Sequence, residues 1–127
     1  MKRFTMSDMP IVIDIAEVEM RAVEAGEMTL TRLRLPRSTN LQTIVCGLPG
    51  GGCPSTHWGY VISGHIRWNT EDGPMDVMAG EMFHVRPGHT LEVVEDSEFV
   101  EVSHTATASE LHEHIRGRIE GAVGEID

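Results

Sequence analysis

His57-Trp58-Gly59-Tyr60-Val61-Ile62-Ser63-Gly64, an Asp72-Gly73 turn, and Gly80-Glu81-Met82-Phe83-His84-Val85-Arg86-Pro87-Gly88-His89 form the stretch that decides the fold. A strand that opens on a histidine, a hairpin, and a strand that runs into Pro-Gly-His can bring two imidazoles together inside a small β-barrel. Side chains alternate along a strand, so His57, Gly59 and Val61 share one face and Trp58, Tyr60 and Ile62 the other. If Val61 points inward, so does His57, while Tyr60 faces away. Gly59 is read as leaving open space beside His57.

Working outward, the chain is a series of short strands with turn residues between them. Met28 to Leu35 alternates, with Leu33 and Leu35 opposite Arg32 and Arg34, and Pro36 stops it. Leu41 to Leu48 is a further candidate strand, and Pro49-Gly50-Gly51-Gly52-Cys53-Pro54 is the clearest loop. His57–Ser63, His65–Thr70, Met75–Met78, Glu81–Val85, Leu91–Val94 and Phe99–Ser103 follow. Gly64 is read as a bend and Glu95-Asp96-Ser97 as a turn. Upstream, Ile11, Ile13 and Ile15 fit a strand or a short irregular segment, and residues 1–10 form a loose start. This pattern predicts an all-β sandwich or barrel. At the other end Thr107 and Glu110 read as a capping box, and Leu111, Ile115 and Ile119 recur every four residues. They predict a C-terminal amphipathic helix over about 107–120, lying across the barrel or against a partner.

Composition limits what such a domain can do. The 127 residues make one domain, 1–127, with a barrel core over about 28–105. The formal net charge of −10 repels phosphate backbones, and no basic cluster offsets it, so nucleic acid and anionic membrane are excluded as expected partners. No apolar run approaches the roughly 20 residues of a membrane span. Lys2 and Arg3 are followed by Asp8, Pro10 and Asp14, which is not the apolar core of a signal peptide. The expectation is a cytoplasmic protein in which Cys46 and Cys53 stay reduced.

Three residues are candidate metal ligands: His57, His89 and Cys53. His89 follows Pro87-Gly88, which fixes the backbone path and aims the side chain. Cys53 lies four residues before His57 at the mouth of the same strand. Neutral imidazole and thiolate suit zinc or iron, and three protein ligands leave a position open. Taken singly, His57 reads first as a hydrogen-bonded histidine at the barrel mouth and Cys53 as a small packed residue. The pairing of His57 with His89 favours a site. His84 is a third histidine ligand if Met82 points inward and faces out if Phe83 does. His65 reads as an exposed hairpin residue and His104 is ambiguous. His112 and His114 read as solvated, since two residues apart on a helix they lean to opposite faces. Glu92, Glu95, Asp96, Glu98 and Glu101 read as an outer strand face and a turn.

The same segments resemble the cupin superfamily. Its first motif carries His-x-His, then a Glu, then a Gly seven residues on, and closes with Tyr-Val-Leu-Glu-Gly. Tyr60-Val61-Ile62-Ser63-Gly64 is similar to that phrase. His57 stands at the position of the metal-binding Glu, and Pro54, Ser55 and Thr56 occupy the place of the His-x-His. Gly80-Glu81 and Arg86-Pro87-Gly88-His89 are similar to the second motif, with the histidine placed earlier. Small cupin-like proteins with a Cys-Pro-x-His-Trp-Gly-Tyr-Val phrase and a Pro-Gly-His-Thr phrase are more similar still. The resemblance covers residues 40–105 and implies a jelly-roll β-barrel and a homodimer.

The functional expectation is a cupin-like protein holding a divalent metal (zinc, iron or nickel) and a small-molecule ligand, with oxygenase- or isomerase-type catalysis open to it. The alternative is a metal-free binding or sensor barrel in which the histidines only hydrogen-bond a ligand. A third reading is an interaction protein whose helix docks on a partner.

Overall fold

A computed structural model describes residues 1–15, 17–37, 39, 53–108, 110, 112–114 and 116–117. The candidate strand Leu41–Leu48, Cys46 and the helix positions Leu111, Ile115 and Ile119 lie outside the described residues.

Among the described residues seven antiparallel strands form one sheet: β1 (Ile11–Ile15), β2 (Val18–Ala25), β3 (Met28–Leu35), β4 (His57–Thr70), β5 (Gly73–Met78), β6 (Met82–Val85) and β7 (Thr90–His104). Their order is β1-β2-β3-β7-β4-β5, with β6 paired to the first half of β4. Among the described residues its ladders do not close into the complete barrel expected from the sequence. A short 3-10 turn, Met6–Asp8, precedes β1. Every described position from 105 to 117 is helical. No helix among the described residues is long and apolar enough to cross a membrane.

Strand alternation sets the core. On β3 Thr29, Thr31, Leu33 and Leu35 point inward while Arg32 and Arg34 face out. Ile13, Val18 and Met20 extend the same core, so the sheet begins at Ile11, ahead of the 28–105 core read from the sequence. β2 escaped the sequence reading because Glu19, Arg21 and Glu24 break its apolar character. The structure sets Glu19 and Arg21 on the outer side, 2.9 Å apart.

Two breaks expected from the sequence are kinks within continuous strands. β4 runs unbroken through Gly64, and β7 runs unbroken through Glu95-Asp96-Ser97. The ladder between them shifts register around Val61–Ile66. Gly64 has φ +92, and a Cβ there would lie 2.3 Å from the Asp96 carbonyl oxygen. The Ser97 hydroxyl accepts the His65 N–H at 3.0 Å and donates to the Glu95 carbonyl at 2.7 Å. These local bonds satisfy the backbone at the bulge, so no turn is needed. On β4 the buried positions change from His57, Gly59 and Val61 to Ile66 and Trp68 across the kink.

The helical segment starts at Thr105, earlier than expected. The Thr107 hydroxyl donates to the His104 carbonyl at 3.1 Å and lies 2.9 Å from the Ser55 hydroxyl, so it joins the helix to the loop before β4. The Arg116 guanidinium donates to the Val12 carbonyl oxygen. This docking turns His112 inward to 7% exposure and leaves His114 half-buried, which corrects the reading of both as solvated.

Candidate metal centre

A backbone bridge assembles the site. The Cys53 N–H donates to the His89 carbonyl at 2.9 Å, and the Gly88 N–H donates to the Cys53 carbonyl at 2.8 Å. The loop before β4 is thereby tied to the loop after β6. Pairing of His57 with Val85 brings the start of β4 to the same level. One ligand atom from each of Cys53, His57 and His89 lies within 4.8 Å of the other two, and among the described residues this is the one such group. All three side chains are buried.

The hydrogen bonds aim the imidazoles. His89 Nδ1 lies 2.6 Å from the Arg86 carbonyl oxygen, which accepts only, so Nδ1 carries the proton. His89 Nε2 therefore holds a lone pair, and it is buried without a hydrogen-bond partner. His57 Nε2 lies 3.4 Å from Cys53 Sγ, and His57 Nδ1 lies 2.6 Å from Ser103 Oγ. The tautomer that donates Nδ1–H to Ser103 leaves the second lone pair facing the thiol. The two imidazole centroids are 4.9 Å apart, and the Trp68 ring packs on both.

Burial drives each group toward its neutral form. It pushes the Cys53 thiol up to about 12, an effect that Glu101 reinforces. Burial, with the neighbouring His89 and His112, pulls His57 down to about 3. Burial also lowers His89, partly offset by its bond to the Arg86 carbonyl. Cys53, His57 and Glu101 have the order of a nucleophile, base and orienting acid. Burial raises the thiol and lowers the imidazole, and both directions oppose proton transfer from Cys53 to His57, which counts against an activated nucleophile. Once the thiol proton is displaced, the Cys53 sulfur and the two imidazole lone pairs would face one cation, and the donor set fits one.

Several expectations from the sequence change here. Gly59 does not leave a void: a Cβ there would lie 2.3 Å from Phe83 Cζ, so the Phe83 ring fills that space. Phe83 and Val85 point inward, which puts His84 outside, stacked on Trp58 at 5.4 Å. His104 is exposed and meets Trp58 edge to face at 5.8 Å, and His65, half-buried, lies 3.6 Å from Asp76.

Glu101 is the residue that sequence reasoning missed. It is 6% exposed, not on an outer face, and one carboxyl oxygen lies 3.6 Å from His57 Nδ1. Burial pushes its carboxyl up to about 8, so the contact joins two neutral groups rather than an ion pair. That oxygen, Oε2, has no hydrogen-bond partner. The available signal was the alternation Phe99-x-Glu101-x-Ser103, which places all three on the face of Phe99.

A cleft of about 440 Å³ between the hairpin at 70–75 and the loop at 84–89 reaches His89. Arg86 and Asp72 stand at its rim, 3.6 Å apart and exposed.

No protein-family model matches the chain, and no curated protein does. Solved structures do. The oxalate decarboxylase of Bacillus subtilis at pH 4.6 is 19% identical with a TM-score of 0.56, over 80% of this chain and 28% of that one. The formate complex of the Lactobacillus farciminis oxalate decarboxylase is 17% identical with a TM-score of 0.59, over 80% and 32%. KdgF from Halomonas sp. is 13% identical with a TM-score of 0.60, over 81% and 94%. The chain thus spans about a third of the oxalate decarboxylases and nearly all of KdgF. At these identities the likeness is one of fold.

Proposed function

Because the chain has the cupin jelly-roll fold, we propose that it is a metal-binding cupin in which Cys53, His57 and His89 hold one divalent ion and a small molecule reaches the open position. The observation that carries this reading is His89: its Nδ1 is fixed on the Arg86 carbonyl while its buried Nε2 lone pair has no partner. A buried acceptor left unpaired costs about 1–3 kcal/mol, and a cation removes that cost.

One thiolate with two imidazoles favours zinc or iron over the harder, oxygen-seeking ions, with nickel third. A bound ion of this kind supplies a Lewis acid, or for iron an oxygen-activating centre. The chain contributes the rest. The Arg86 carbonyl and the Ser103 hydroxyl orient the two imidazoles. Trp68 packs beside them, with Phe83 behind it, and keeps water from that side. The cleft that ends on His89 has room for a small molecule and supports the ligand-binding part of the reading. Oxygenase- or isomerase-type catalysis is the finer form of the proposal.

The same reading places the chain, as one domain over 1–127, in the cytoplasm, where the thiol stays reduced. It pairs two copies as a homodimer, for which Trp58, Tyr60 and Met82, exposed on one sheet face, offer apolar surface.

Elemental analysis of untagged protein tests the proposal. About one zinc, iron or nickel per chain is expected in the wild type and none in His57→Ala or His89→Ala. A protein that takes up no metal after reconstitution with each ion would instead be a metal-free binding barrel.

A further inference from the structure

Glu101 sits where an apolar residue would serve the core better. A buried carboxyl without a complete set of partners is costly, and hydrophobic replacement of such groups is often stabilising. It lies between Gly59 on β4 and Thr31 on β3, its partners across the two ladders. Along β7 the next inward residue is Ser103, whose hydroxyl is 2.6 Å from His57 Nδ1. The partnerless Glu101 oxygen is 3.6 Å from the same nitrogen. Two oxygens from one strand therefore converge on the edge of the imidazole opposite the one that faces Cys53.

We propose that Glu101 and Ser103 are positioning residues for the metal. Ser103 accepts the His57 Nδ1–H with the Glu101 oxygen standing next to it, and together they fix the tautomer and ring angle that present Nε2 to the ion. The proposal rests on the reading of Cys53, His57 and His89 as ligands. With His57 as a ligand its N–H would be a stronger donor, and the unpartnered Glu101 oxygen would be a second acceptor beside Ser103. Outer partners of this kind affect metal affinity without touching the metal.

Cobalt(II) is the probe, because its visible bands report ligand geometry and its near-ultraviolet thiolate band reports Cys53. Wild type, Glu101→Gln and Ser103→Ala are titrated with cobalt(II) against a chelator, and each metal-free protein is melted. Glu101→Gln keeps the shape and removes the ionisable carboxyl. It is expected to bind cobalt about 10- to 100-fold more weakly, with altered visible bands and no drop in metal-free melting temperature. Ser103→Ala is expected to weaken binding in the same direction and carries the test if Glu101→Gln does not fold. If both variants match wild type in affinity and spectrum, the positioning role is wrong while the metal site stands. If their cobalt affinity falls only in step with metal-free stability and the bands keep their form, the residues are structural and the proposal fails. A wild type that binds no cobalt overturns the metal reading itself.

Discussion

Cys53 Sγ and His57 Nε2 lie 3.4 Å apart on the buried side of the sheet, and burial makes both neutral. Metal-free protein should therefore have an inert thiol at this site. With Cys46 replaced by serine, Cys53 is expected to resist alkylation between pH 6 and 9 in the folded protein and to react readily when unfolded. Fast alkylation of the folded protein near pH 8 would show that the thiol is not held near 12.

Loading a divalent ion should displace that thiol proton. Calorimetry of zinc binding in buffers of different ionisation enthalpy is expected to show at least one proton released per ion near pH 7, and apparent affinity rising with pH. Binding without proton release would remove Cys53 from the ligand set.

The buried groups give metal-free protein a stability window with distinct causes on each side. His57 and His112 are lowered from 6.5 to about 3 and about 4, so the folded state binds fewer protons than the unfolded one. Their contribution is present above pH 6.5 and is lost as pH falls toward 3. Glu101 is raised from 4.5 to about 8, so its contribution is present below pH 4.5 and is lost as pH rises through 8. Glu101→Gln should remove the alkaline loss. The variant is expected to gain roughly 1–3 kcal/mol over wild type at pH 8 and much less at pH 5, measured by urea unfolding. An equal difference at both pH values would mean that Glu101 does not ionise in this range.

The kink shared by β4 and β7 can be tested through two glycines. Gly64 and Gly73 both have positive φ, +92 and +104, but only at Gly64 would a Cβ collide, 2.3 Å from the Asp96 carbonyl oxygen. Gly73→Ala is expected to cost about 1 kcal/mol from backbone strain alone, and Gly64→Ala at least about 2 kcal/mol more. Equal losses in urea unfolding would mean that the two strands do not approach closely there.

The part of the site that was legible in the sequence is the part governed by local rules. Cys53, His57 and His89 stand next to turn residues and on a strand with clear alternation. Glu101 was hidden by one misreading. Once Glu95-Asp96-Ser97 is taken as a turn, Phe99–Ser103 is too short to fix its own parity, and Val100 and Val102 compete with Phe99 for the inside. Keeping the strand whole from Leu91 and Val93 to Phe99 carries Glu101 and Ser103 inward. His112 depended on a contact that no local pattern encodes, the bond from Arg116 to the Val12 carbonyl 104 residues away in sequence. The fold class was legible because strand spacing and turn residues repeat. The outer charges of β2 concealed that strand, since a half-buried strand carries ion pairs without losing its inner face.

X-ray absorption at the zinc edge of zinc-loaded protein tests the central claim, that one sulfur and two imidazoles hold the ion. The expected spectrum has a single sulfur at about 2.3 Å and nitrogens at about 2.0–2.1 Å, with the sulfur shell absent in Cys53→Ser. A wild-type spectrum with no sulfur shell, or one that Cys53→Ser leaves unchanged, would contradict it.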